Sequence, residues 1–224
     1  MNNAIKRILS RTPQSLQQSM KRIYFKHQLK HNKFISDEPE FHLLDSWVGK
    51  GDWVLDIGAN IGHYTCRLSE ITGDTGRVIS IEPVIDSFEL LANNIYSLPS
   101  RNVTLLNICA SEKNEITGME IPKFDTGLDN FYRAHATYDT SNNLKVLNLT
   151  IDSLNLPHPL KLAKIDVEGN ELSVLKGMIS ILERDKPVLI VEDNSREVGK
   201  FLEEFGYTSR IIDGSPNIIF EIHY

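Results

Sequence analysis

A mostly parallel α/β sheet covered by helices on both faces, with its final strand reversed, is the fold class this sequence predicts. Three observations predict it. From Gly51 onward, short apolar runs alternate with helical patterns, the rhythm of successive βαβ units. The first apolar run passes directly into a glycine-bearing loop, VLDIGANIGHYT, residues 54–65, which a strand–loop–helix ligand site requires. The chain closes on two runs separated only by Asp213-Gly214-Ser215-Pro216. That link leaves no room for a crossover helix, so the last strand must run antiparallel.

The elements follow in order. Residues 1–36 hold eight Lys or Arg and no Asp or Glu, so the remainder carries 16 basic against 30 acidic residues: +8 beside −14. Thr12-Pro13 reads as an N-cap and first-turn proline, and Leu16, Met20, Ile23 and His27 then recur at helical spacing. A basic amphipathic helical extension is expected over 1–36, ahead of a single domain over 37–224. Its apolar stripe is expected to pack on the acidic body. The functional alternatives are attachment to an anionic membrane surface or a partner, and a cleaved organelle-targeting peptide.

Trp53–Ile57, Arg77–Ile81, Val103–Ile108, Leu162–Val167 and Val188–Val191 are the strands, and helical patterns lie near 63–71, 84–97, 170–184 and 195–205. Tyr207–Ile212 and Asn217–Ile222 form the closing pair. A polar insertion at about 112–147 interrupts the rhythm, and a stretch of that length in a compact domain is usually functional or partly structured. No apolar run approaches the roughly 18 residues of a membrane span, and the N-terminus lacks an apolar secretory core. A cytoplasmic protein is expected, with peripheral membrane contact through the basic helix as an option. Cys66 and Cys109 are too few for a disulfide framework and lack metal-site spacing, so two buried thiols are expected.

The loop after the first strand fits a nucleotide-like ligand, with Asp56, Gly58, Asn60 and Gly62 as candidates for holding it. A dinucleotide and S-adenosylmethionine compete for such a loop. A carboxylate at Asp56 about 4 Å from a pyrophosphate is repelled by roughly 4 kcal/mol at an effective dielectric near 20, whereas beside a sulfonium and an ammonium it is favourable. Glu82, 26 residues after Asp56, suits the ribose hydroxyls of either ligand.

KIDVEGNE, residues 164–171, puts Lys164, Asp166 and Glu168 at alternate positions on a strand that ought to be apolar on both faces. If this strand neighbours the first, Asp166 and Glu168 leave it beside the glycine loop. There Asp166 is a candidate both for contacting the bound ligand of the glycine loop and for orienting an acceptor hydroxyl or taking its proton, Glu168 can support it, and Lys164 can balance the buried charge. An ion-pair network without chemistry is the bland alternative. Glu171, at the start of a helix, is as readily structural.

VLDIGANIGHYT, IEP at 81–83, TIDSL at 150–154, KIDVEGNELSVLKG at 164–177 and the acid-terminated LIVE at 189–192 together resemble the FkbM-type family of S-adenosylmethionine-dependent methyltransferases. The resemblance runs from about Phe34 to the C-terminus. It implies a class I methyltransferase, Rossmann-like sheet of seven strands with the last reversed, S-adenosylmethionine as donor, and O-methylation of a hydroxyl on a carbohydrate, glycolipid or natural-product acceptor. Ile108 and Cys109 are candidates for the adenine edge, with an ordinary core position as the alternative.

Weaker candidates complete the site. Glu192, in Glu192-Asp193-Asn194, should face the same cleft and contact substrate; with Asp166 it could offer the oxygen ligands that Mg²⁺ takes, although no diagnostic metal spacing is present. Tyr132, Arg133 and His135 in the insertion could meet a sugar ring. His63, at a helix start, is read as packed or solvent-facing. Two rival functions stay open at this stage. An RNA methyltransferase would use the basic helix, but the acidic body repels phosphate and no Asn-Pro-Pro-aromatic signature is present. A non-catalytic S-adenosylmethionine-binding module would not need carboxylates at both 166 and 168.

Overall fold

The computed structural model describes residues 13–122, 135–137, 144–192 and 196–223. The strands are β1 (Trp53–Ile57), β2 (Arg77–Ile81), β3 (Val103–Leu106), β4 (Cys109–Ala110), β5 (Glu115–Glu120), β6 (His135–Thr137), β7 (Lys145–Leu149), β8 (Leu160–Ile165), β9 (Val188–Glu192), β10 (Thr208–Ile211) and β11 (Asn217–Glu221). The helices are α1 (Gln14–Lys30), α2 (Leu44–Trp47), α3 (His63–Thr72), α4 (Ile85–Tyr96), α5 (Glu171–Lys176), α6 (Ile179–Asp185) and α7 (Glu197–Glu203). The main sheet has seven strands in the order β10-β11-β9-β8-β1-β2-β3. All neighbours pair in parallel except β11, which is antiparallel to both β9 and β10. The reversed final strand that the short closing turn demanded is therefore present, wedged between β9 and β10.

The two faces of this sheet have different covers, and strand periodicity sorts the residues between them. Leu55, Ile57, Ile79, Ile81, Ala163, Ile165, Leu189 and Val191 pack with Val174, Leu175, Ile181, Leu182, Val198 and Leu202 of α5, α6 and α7, and with Met178 between α5 and α6. The alternate residues Val54, Val78, Leu162, Ile190 and Ile219 pack with Tyr64 and Leu68 of α3 and with Leu44 and Trp47 of α2. Asp56, Ser80 and Lys164 share that second face by the same period of two. The polar residues of three central strands are thereby gathered under α3. β1 lies where strand order reverses, with β2 on one side and β8 on the other, the position at which such sheets bind ligands beyond their carboxyl ends.

Four expectations need correction. The strand read as Leu162–Val167 ends at Ile165, so Lys164 is inside the sheet while Asp166 and Glu168 lie beyond it, with Glu168 in a left-handed turn at φ 55°. The strand read as Val103–Ile108 ends at Leu106; Cys109 and Ala110 begin a second, four-stranded sheet, β4-β7-β5-β6, to which the described residues of the insertion contribute β5, β6 and the start of β7. The single helix expected at 170–184 is broken at Gly177. A Cβ there would lie 2.1 Å from the Ser111 carbonyl oxygen, so the chain turns where another backbone passes through its contact surface.

The fourth correction concerns the N-terminal helix. Pro13 itself takes the cap position of α1, and Thr12 is outside the described residues. The stripe expected to pack inward faces solvent: Leu16, Met20 and Ile23 are 49, 47 and 72% exposed, and His27 is exposed too. The opposite face docks on α4. Gln18 donates to Asp86 at 2.7 Å, Arg22 pairs with Glu89 at 2.8 Å, and Phe25 and Leu29 pack beside Leu90, Leu91 and Ile95. The acids on α4 pair with Gln18 and Arg22 beside Phe25 and Leu29, and so select this mixed face of α1 over the Leu16–Met20–Ile23 stripe, which hydrophobic periodicity alone cannot register. Among the described residues no helix is long and apolar enough to cross a membrane.

Candidate functional site

β1 delivers the chain into Gly58, whose φ of +79° and tight surroundings admit no side chain: an added Cβ would lie 1.7 Å from the Asp166 carbonyl oxygen. Gly58 N–H and Ala59 N–H both donate to the Ile81 carbonyl, and Asp166 N–H donates to Ile57, each at 3.0 Å. Three strand ends are thus tied into one floor. Asn60 follows at φ 50°. Gly62, at φ +96°, lets α3 start against Leu91, whose Cδ1 would be 2.6 Å from an added Cβ.

Glu82, one residue past β2, is buried. Its two carboxylate oxygens accept the Asn60 and Val84 N–H groups, each at 2.8 Å. It therefore shapes the glycine loop and the entry to α4 at once. Burial outweighs these hydrogen bonds and pushes its pKa up to about 7. Asn107, which sequence reasoning missed, donates to the Glu82 and Pro83 carbonyls at 2.8 and 3.0 Å. Ile108 and Cys109 are buried beside it. Cys109 packs with Val84, Met119 and Val146, and burial raises its thiol to about 12, so it stays an uncharged wall.

The charged cluster is built across three strands. Asp56 pairs in register with Lys164 on β8 and with Ser80 on β2. It is 1% exposed; Thr65 on α3 donates to its Oδ2, and its Oδ1 has no partner among the described residues. Asp56 consequently sits beneath the loop rather than on the open surface of the cleft. Burial raises its pKa. Lys164, 3% exposed, places Nζ 2.8 Å from Asp166 Oδ2 and 4.7 Å above the Tyr64 ring. Burial alone would lower the Lys164 pKa, but the negative charges of Asp166 and Asp56 outweigh it and raise the value. Asp166 shows the mirror pattern: burial pushes its pKa up, and Lys164 brings it below the ordinary value.

Glu192, at the end of β9, is hydrogen-bonded to Asp166. Two carboxyl groups in that contact need one proton between them, and the division is uneven. Burial, then the Asp166 hydrogen bond and charge, then Glu168 and Glu171 push Glu192 up to about 7. One oxygen each of Asp166, Glu168 and Glu192 lie within 4.8 Å of one another, a set that could accommodate a hard cation. Glu168 is exposed at the rim. Glu171 is a latch: it accepts N–H bonds from Gly169 at 2.9 Å and Val167 at 3.3 Å, holding the turn after Asp166.

A strap from the N-terminal segment completes the cluster, unsignalled by any motif. Tyr64 Oη lies 2.6 Å from Glu38 and 3.2 Å from Glu40. Asn217 donates to the fully buried Glu40. Phe34 is a core residue stacked on His63, centroids 4.1 Å apart, and burial brings His63 down to about 4. His63 is thus a neutral packing residue. Tyr132, Arg133, Asp193 and Asn194 lie outside the described residues; His135 falls in β6.

Residues 56–212 match the family model described as the Methyltransferase FkbM domain. The chain is 26% identical over 182 residues to the hexuronic acid methyltransferase AglP of Haloferax volcanii, covering 78% of this chain and 71% of that one. Among solved structures it is similar to an FkbM methyltransferase from Methylobacillus flagellatus, with 18% identity and a TM-score of 0.55. That likeness covers 89% of this chain and 58% of the other. It is also similar to Aeropyrum pernix fibrillarin with natively bound S-adenosyl-L-methionine, at 16% identity and a TM-score of 0.51, covering 80% of this chain and 72% of that one. Both likenesses are of the class I methyltransferase fold.

Proposed function

This chain belongs to the FkbM methyltransferase family, and from that premise we propose that it moves the methyl group of S-adenosylmethionine to an oxygen of a hexuronic-acid-type carbohydrate acceptor. The observation that carries the proposal is the division of charge at the ends of β8 and β9. One carboxylate, Asp166, is held ionised by a buried lysine, and its hydrogen-bonded neighbour Glu192 is poised to gain or lose a proton near neutrality.

When bound, S-adenosylmethionine supplies a methyl carbon on a positively charged sulfur. The chain's residues suit it without further adjustment. Gly58 and Gly62, where a side chain would strike Asp166 or Leu91, let the loop turn tightly against the ends of β1, β2 and β8, and Asn60 is held there by Glu82. Glu82 keeps spare lone pairs for the ribose hydroxyls, Ile108 and Cys109 offer an apolar edge to the adenine, and Asp56 adds negative potential from beneath. Asp166 orients the acceptor hydroxyl in line with the methyl group. As the new C–O bond forms and the S–C bond breaks, the hydroxyl proton passes to the Asp166–Glu192 pair. Lys164 positions Asp166, and Glu168 supports it from the rim. Tyr132, Arg133 and His135 are assigned to the sugar ring. No metal is included in this reading.

A hydroxyl is the favoured acceptor oxygen, because an acceptor carboxylate would be repelled by Asp166 and needs no base. On the same reading the enzyme works in the cytoplasm and meets a lipid-linked acceptor at the membrane surface, by way of the basic helix. The test is transfer of an isotopically labelled methyl group to hexuronate-containing oligosaccharides, read by mass spectrometry before and after mild alkali. Label that survives alkali is an ether and supports the reading; label released by alkali is an ester and removes the base assignment.

A further inference from the structure

The outward face of α1 is apolar, although nothing in the described structure covers it. Met20 follows Leu16 by four residues, and Ile23 and Tyr24, the last 56% exposed, follow Met20 by three and four, so the four form one stripe. Lys26, Lys30 and Lys33, all exposed, line its flank and its C-terminal end, with His27 and His31 between them. No acidic residue occurs anywhere in residues 1–36. The helix is also docked on the body: Gln18–Asp86, Arg22–Glu89 and the Phe25–Leu29 side of the helix join it to α4. Phe25 then meets Phe34, centroids 5.7 Å apart, and Phe34 meets His63 at the start of α3. A body docked through this stripe is thereby oriented, since the contact surface and the glycine loop belong to one packed unit.

We propose that the Leu16–Met20–Ile23–Tyr24 face of α1 is an interfacial surface that seats the protein on anionic lipid. Charge selects this occupant. An apolar stripe bordered by lysines and free of acids matches the boundary between acyl chains and negatively charged headgroups. A second copy meeting the same face would bring like charge against like charge. The inference draws its purpose from the proposed action on a lipid-linked glycan, but its evidence is independent of that chemistry.

The test is sedimentation of the full chain with phosphatidylcholine vesicles with and without phosphatidylglycerol, at low and high salt. Expected is binding that requires phosphatidylglycerol and weakens with salt. Ile23→Asp should reduce it by about tenfold or more, because one large apolar side chain is withheld from the interface. Lys26→Glu with Lys30→Glu should reduce it by at least about fivefold. Both changes are at exposed positions, and unchanged thermal melting and S-adenosylmethionine affinity would exclude a folding defect. Undiminished sedimentation of Ile23→Asp would overturn the proposal, as would equal binding to uncharged vesicles. So would a dimer dissolved by Ile23→Asp in a protein that ignores vesicles. Vesicle binding without methyl transfer would leave this inference standing and remove the reaction alone.

Discussion

Replacing Lys164 by methionine keeps most of the side chain's volume and deletes its charge, so it isolates the electrostatic role of the buried cation. In the native protein Nζ is 2.8 Å from Asp166, whose side chain is 29% exposed, and it faces Asp56 across the β1–β8 ladder. Removing one member of a buried pair typically costs about 3–5 kcal/mol, because the other charge is left uncompensated. Asp166 retains some solvent and can take a proton shared with Glu192, which places the cost near the lower end, about 3 kcal/mol. For a chain of this size that corresponds to a fall in Tm of about 6–12 °C. At neutral pH the rate should drop by roughly 10²–10⁴-fold, since Asp166 no longer stays ionised to receive the hydroxyl proton. Raising the pH should recover part of the loss by deprotonating Asp166 again. Differential scanning calorimetry and initial rates across neutral pH read both effects. An unchanged Tm together with an unchanged pH profile would refute the assignment of Lys164 as the group that holds Asp166 ionised.

Gly58→Ala forces a Cβ into the Asp166 backbone at a left-handed φ, and should destabilise the fold by about 2–5 kcal/mol while weakening donor binding; thermal melting and calorimetry check it. Glu82→Gln leaves one of the Asn60 and Val84 N–H groups facing an amide NH₂, so donor affinity should fall by about tenfold to a hundredfold in titration calorimetry. The folded pKa of Glu192, about 7, stands above its ordinary 4.5, so the folded state holds the extra proton. Its contribution to stability is present below 4.5 and is lost as pH rises to about 7. Over the same window the methylation rate should rise, and Glu192→Gln should abolish both slopes. Asp166 has the opposite sign: its contribution is present above the ordinary value of 3.8 and is lost as pH falls through its lowered value.

The central strands were legible because Val54, Leu55 and Ile57, like Leu189, Ile190 and Val191, form short apolar runs buried on both faces, interrupted in β1 only by Asp56. The reversed strand followed from a turn too short to cross the sheet. Lys164 and Asp166 could be placed together because alternate residues leaving a strand share a face, and Glu192 because the acid ended the next strand. The Glu38–Tyr64–Glu40–Asn217 links were illegible: their members are scattered from position 38 to 217 and no local spacing joins them. The orientation of α1 was misread for a related reason. The stripe Leu16–Met20–Ile23 is visible in sequence, but what decides its direction is Asp86 and Glu89 on a helix some seventy residues later. The insertion hid its sheet because β4 is only two residues long and β5 carries a glycine at its centre.

The most direct measurement is the methyl-transfer rate of Asp166→Asn at saturating S-adenosylmethionine, with donor affinity titrated on the same sample. Expected is a rate lower by roughly 10²–10⁴-fold with donor binding largely retained, because the carboxylate acts on the acceptor's proton while the loop from Gly58 to Gly62 and Glu82 hold the donor. A rate equal to that of the native protein would contradict the assignment of Asp166 and Glu192 as the groups that take the proton.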